Sequence, residues 1–272
     1  MTTKTKAKAT TKALAPPTPA PTGQPVPIPL ATRAIVDDVV TWLRSHGSDE
    51  NRAGMARFGI PVEHACGVSM EPLKAKAKAL GRDHVLAQAL WQAGFLETRM
   101  LAAFVDVPAA VTTAQIEAWL DDVDGWSLCD TLCIHLFGKT AHAWPMARRL
   151  VTREALWPKR AGFALLATLA VHGDDDDALA GALVAVAAAA NDERNFVKKA
   201  VNWALRQIGK RNARLHAAAV PVAEALAASS SPSARWVGRD ALRELRAPAV
   251  LARLREKSTP TKKRSTKKKI TT

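Results

Sequence analysis

Two tryptophans and one aspartate have the types and spacing to do chemistry. In "DVDGWSLCDTLCIHLF" (residues 122–137), Leu128, Leu132 and Leu136 mark the buried side of a helix. Trp126 and Asp130 lie four residues apart and share the opposite side. In "FVKKAVNWALRQIGKRN" (residues 196–212), Phe196, Val197, Ala200, Val201, Ala204, Leu205 and Ile208 form an apolar stripe. Lys199, Asn202, Trp203, Arg206 and Lys210 fall on the other side. A single tryptophan is most often a core or interface anchor, and a single aspartate a solvated or helix-dipole carboxylate. Two helices that each set a tryptophan among charges point elsewhere. A fixed carboxylate can stabilise positive charge that develops in a transition state. Aromatic faces contact sugars and bases and attract cations.

Further cations extend this set. "LWPKRAGFALLATLAVHG" (residues 156–173) fills its buried sector with Phe163, Leu165, Leu166 and Leu169, and Arg160 is expected to face away from it. "ARWVGRDALREL" (residues 234–245) adds Arg235, Trp236 and Arg239. Lysine and arginine in such a groove suit phosphate.

Competing chemistries are poorly supported. Cys129, Cys133 and His135 form a C-x3-C-x-H cluster, but a metal site of this kind needs two convergent pairs. Both thiols sit on the core-leaning flank and read as buried. "DDDD" (residues 174–177) suits the N-terminus of the following helix better than a cation site. Gly-rich phosphate loops, H-E-x-x-H and G-x-S-x-G do not occur. No metal and no cofactor are expected.

The elements that must carry these residues are helices. Between residues 31 and 256 alanine and leucine dominate, and no strand-like alternation persists. Helices are predicted over 32–46, 48–57, 69–80, 82–94, 96–105, 112–122, 126–138, 141–150, 153–171, 176–190, 193–209, 212–228, 233–244 and 247–255. Gly47, Gly81, Gly94, "HGDDDD" and "SSSPS" mark ends. Short turns between paired helices predict an all-α fold, an α-solenoid of degenerate HEAT-like helical pairs over residues 31–256, with a globular bundle as the alternative.

Net charge is +14, but it is unevenly placed. Residues 1–30 hold Lys4, Lys6, Lys8 and Lys12 without an acid, and residues 257–272 hold seven Lys or Arg without an acid. That leaves about +3 on the domain. Both tails read as disordered, the first rich in Pro, Lys and Ala and the second in Lys. Their charge pattern suits polyanions. No apolar run is long enough for a signal peptide or a membrane span, and three cysteines do not make a disulfide framework. A cytoplasmic, nucleoid-associated monomer with no membrane partner is expected.

The ordered motifs "RFGIP" (57–61), "LW" (90–91), "ETRMLAA" (97–103), "DGWSLCD" (124–130), "KRAGFALLA" (159–167), "NFVKKAVNWALRQIGKRN" (195–212) and "RDALREL" (239–245) resemble the AlkD-like DNA alkylation repair proteins with HEAT-like repeats. The resemblance spans roughly residues 35–250. It implies a DNA glycosylase that cups duplex DNA containing alkylated bases. Such an enzyme removes N3- and N7-alkylpurines without extruding the base. It further implies Asp130 as catalytic carboxylate and Trp126 and Trp203 as sugar contacts. Arg160 and Arg206 follow as DNA contacts, and Lys199, Lys210, Arg235 and Arg239 read as further phosphate contacts. Two other function classes stay open: a DNA-binding protein without catalysis, and a protein-interaction solenoid.

Overall fold

The computed structural model describes residues 28–258. Among them every regular element is helical, with fourteen α-helices and two short 3-10 turns. The helices fall where periodicity and stop signals place them, mostly within two or three residues. The expected tails, 1–30 and 257–272, lie almost wholly outside the described residues. The chain divides into two compact units that meet in sequence at residues 110 and 111.

The first unit holds α1 (Leu30–His46), α2 (Asp49–Arg57), α3 (Met70–Leu80), α4 (His84–Gln92) and α5 (Leu96–Val105). Val39, Leu43, Leu73, Leu90 and Leu101 form its fully buried core. Ser48 and Asp83 cap α2 and α4 by accepting from Asn51 and Leu86 N–H. Glu97 is fully buried at the start of α5. Its carboxylate accepts the backbone N–H groups of Cys66, Gly67 and Val68 at 3.0, 2.7 and 3.1 Å. Those bonds pin the loop between α2 and α3, whose amides have no ladder partner.

The second unit holds α6 (Thr113–Asp121), α7 (Trp126–His135), α8 (Ala143–Leu150), α9 (Leu156–His172) and α10 (Asp176–Ala189). It continues with α11 (Asn195–Arg211), α12 (Ala213–Ala227), α13 (Pro232–Leu245) and α14 (Pro248–Ser258). Helices α7, α9, α11 and α13 pack side by side as one layer, and α8, α10 and α12 pack against them as a second. This alternation is the helical-pair repeat predicted from the short turns.

Helix α9 is the spine of this unit. Every residue from Arg160 to Ala170 is buried, because α7, α8 and α11 cover different sides of it. Burying Phe163, Leu165, Leu166 and Leu169 stabilises the unit by about 1.5–3 kcal/mol each. Close approaches fix the spacing. A Cβ on Gly238 of α13 would lie 2.2 Å from Ala227 N and 2.5 Å from Ala223 O of α12. Thr112, Asp175, Asn212 and Ser231 cap α6, α10, α12 and α13 through their side chains. The acidic run thus serves as a cap, and Asp176 further takes Arg211 and Asn212.

Candidate nucleic-acid interface

All the candidate residues belong to the second unit, in the layer α7, α9, α11 and α13. Asp130 sits in the second turn of α7, whose apolar side buries Leu128 and Leu132. Leu136, just past its end, is buried too. Trp126 opens the helix and is half-buried one turn before Asp130. Cys129 and Cys133 are buried on the flank facing α9. Their Sγ atoms approach the carbonyls of Trp157 and Ala161 at 3.8 and 3.6 Å. Among the described residues no group of three His, Cys, Asp or Glu side chains is placed to hold a metal ion.

Arg160 corrects the sequence reading. It was expected to face away from the core and meet a phosphate, yet it is only 6% exposed. Its Nε donates to Asp130 Oδ1 at 3.0 Å and its Nη2 to Asp130 Oδ2 at 2.7 Å. Its Nη1 donates to the Phe196 carbonyl at 2.6 Å. One guanidinium on α9 therefore ties α7 to α11. The physical reason is that α9 has neighbours on several sides, so the side opposite its apolar sector is also interior. A buried guanidinium must find acceptors, and a carboxylate satisfies two of its donors at once.

The Asp130 carboxylate feels two opposed effects. Burial raises its pKa, and the charge and hydrogen bonds of Arg160 pull it back, with burial the larger. The side chain keeps 17% of its surface exposed, so the carboxylate is not sealed from a reacting group. A third aromatic, missed in the sequence, borders this pair. Trp157 lies one turn before Arg160, and its ring packs on Phe196 at 5.3 Å between centroids. The available signal was its i, i−3 spacing from Arg160.

Helix α11 presents Trp203, half-buried and without a hydrogen-bond partner among the described residues. Lys199 is exposed on the same side and is likewise unpaired among the described residues. Arg206 and Lys210, expected as phosphate contacts, are instead ion-paired with Glu244 of α13. Asn202, expected on the polar side, is 2% exposed and donates to Asp240 of α13 at 2.6 Å. These are steps of one ladder between parallel helices: Lys198 with Trp236, Asn202 with Asp240, Arg206 with Glu244. Each step is one helical turn, which is why the partners recur four residues apart on both helices. On α13, Arg235 donates to the carbonyls of Ser229 and Ser230 at 2.9 and 3.0 Å, and Arg239 is exposed.

The turn before α11 is held from three sides. Asp192 accepts Arg194 Nε and Nη2 at 2.9 and 2.6 Å, and Lys159 of α9 stands 3.4 Å away. Ser233 of α13 donates to the Asp192 carbonyl at 2.7 Å. The Arg194 hydrogen bonds hold the Asp192 carboxyl down at about 2. This network sets where α11, and therefore Trp203, begins.

The profile of a family described as "DNA alkylation repair enzyme" matches residues 39–245. No curated protein sequence matches the chain. A solved structure described as belonging to "a new family of proteins related to the HEAT-like repeat DNA glycosylases with affinity for branched DNA structures" superposes with a TM-score of 0.63. Its identity is 20%, over 70% of this chain and 82% of that one. The likeness establishes an all-α fold of HEAT-like repeats.

Proposed function

The chain belongs to the DNA alkylation repair enzyme family, and from that premise we propose that it is a glycosylase for N3- and N7-alkylpurines in duplex DNA, acting on a base left in the stack. The observation that carries this reading is the Asp130 carboxylate, held at both oxygens by buried Arg160 yet still partly open to solvent.

The chemistry follows from charge. An N3- or N7-alkylated purine is cationic and leaves readily. As the bond from C1′ to the purine nitrogen breaks, its electron pair neutralises the purine and positive charge grows on the deoxyribose. Asp130 stabilises that charge and orients the water that attacks C1′, taking the water's proton and passing it to solvent. Arg160 fixes the carboxylate, so no reorganisation is needed as charge develops. Trp126 and Trp203 flank the sugar. Lys199, Arg235 and Arg239 hold phosphates, as the cations not neutralised by a neighbouring acid. Arg206 and Lys210 share Glu244 as an ion-pair partner and contribute less. The protein works as a monomer, and its basic tails add affinity for polyanions that carries no sequence information.

A second reading is DNA binding without catalysis. It draws support from the occupation of both Asp130 oxygens by Arg160 and from the branched-DNA affinity described for the structural neighbour. Release of 7-methylguanine or 3-methyladenine from methylated duplex DNA separates the two. Wild type that releases no more than Asp130→Asn, while binding duplex in a salt-sensitive way, belongs to the second reading.

A further inference from the structure

Trp236 has no part in the scheme above, and its setting is unusual. It is 39% exposed, among the few large apolar side chains that face solvent. Lys198 Nζ stands 5.2 Å from the centre of its ring, a cation–π pair that ties the N-terminal parts of α11 and α13. Beside the ring is an open cleft of ≈ 200 Å³, bordered by Pro232, Arg235, Arg239, Asp240 and Arg243. Asp240 is already engaged by Asn202 and Arg243.

The charges around this cleft are not balanced. Arg239 is unpaired among the described residues. Arg235 bonds only to neutral carbonyls, and Lys198 rests on a neutral ring. Three cations without acidic partners, Lys198, Arg235 and Arg239, therefore border one accessible aromatic. Further along the same two helices the cations have acidic partners: Arg206 and Lys210 share Glu244, and Arg206 stands 4.0 Å from Asp240. The cations that lack any acidic partner thus cluster at the tryptophan end of the ladder.

Phosphates alone would need only the cations. An exposed indole adds a flat face, and a base can lie on it only if its own face is free. Paired bases in a duplex have their faces covered by their neighbours. We infer that Trp236, Lys198, Arg235 and Arg239 form a site for an unpaired nucleotide of a DNA strand, its base on the indole and its phosphates on the cations. The site rests on the DNA-binding reading above and extends it to single-stranded segments next to the duplex.

The test is binding of full-length protein to a labelled single strand of about 20 nucleotides and to the duplex of the same sequence, at fixed salt. Trp236→Ala should weaken single-strand binding by about tenfold and duplex binding by less than about twofold. Trp236→Phe should restore most of the single-strand affinity, which a general loss of packing would not allow. Equal losses on both DNAs, or no loss on either, would overturn the inference. Base release by wild type is scored separately on methylated duplex. Its absence would remove the glycosylase proposal and leave a strand-selective loss standing.

Discussion

Arg160 grips Asp130 with two parallel hydrogen bonds, Nε to Oδ1 at 3.0 Å and Nη2 to Oδ2 at 2.7 Å, across the packed faces of α9 and α7. The third donor of the same guanidinium reaches the Phe196 carbonyl on α11. The pair therefore couples the chemistry of the carboxylate to the position of the helix that carries Trp203. Removing one partner of a buried pair leaves the other uncompensated, at a cost of about 3–5 kcal/mol. Arg160→Ala should lower the melting temperature and reduce base release to the level of Asp130→Asn. Arg160→Lys keeps the charge but cannot reproduce the fork, so it should fall between wild type and Arg160→Ala. Thermal melts and single-turnover assays on methylated duplex measure both effects.

The acid limb of activity follows from the Asp130 environment. Burial raises its pKa above the ordinary 3.8 against the pull of Arg160. The anion is the working form, so base release should fall on acidification at a higher pH than an exposed aspartate would give. Because the folded value is raised, this group's contribution to stability is present below pH 3.8 and is lost as pH rises through the folded value. A rate profile whose acid limb lies at or below pH 3.8 would contradict the assignment.

Asp192 has the opposite sign. Its folded pKa is about 2 against 3.8 unpaired, chiefly through Arg194. The stability it contributes is present above pH 3.8 and is lost as pH falls toward 2. Asp192→Asn should be destabilised relative to wild type at pH 7, and the difference should shrink in acid. Urea unfolding at the two pH values checks this.

Salt dependence of duplex binding separates free cations from neutralised ones. Lys199→Gln should reduce the slope of log K against log salt by about 0.9. Arg206→Gln should reduce it less, because Glu244 already balances that charge. Equal slope losses would mean that the Arg206–Glu244 pair opens when DNA binds.

Packing gives an independent check on the layer. Gly238→Ala would press a methyl against the α12 backbone at Ala227 and Ala223. Overpacking of this kind costs about 1–3 kcal/mol. A melting temperature equal to wild type would show that α13 is free to shift from α12.

Much of this was legible in the sequence because amphipathic helices announce both their existence and their buried side. Leu128, Leu132 and Leu136 fixed the orientation of α7, and Val201, Leu205 and Ile208 that of α11. Periodicity cannot say whether the remaining side meets water or another helix. That is why Arg160 and Asn202 were read as outward-facing, and why Arg206 and Lys210 were read as free. Their partners lie 30 to 38 residues away, a separation that only tertiary packing closes. The same holds for Glu97, whose motif was visible while its grip on the Cys66–Val68 amides was not.

The most direct measurement is base release from duplex DNA carrying a single N7-methylguanine, comparing wild type with Asp130→Asn under single-turnover conditions. The proposed mechanism predicts release by wild type and a loss of about 10²–10³ in rate for the variant. Equal rates for the two, or no release above the uncatalysed background by wild type, would contradict it.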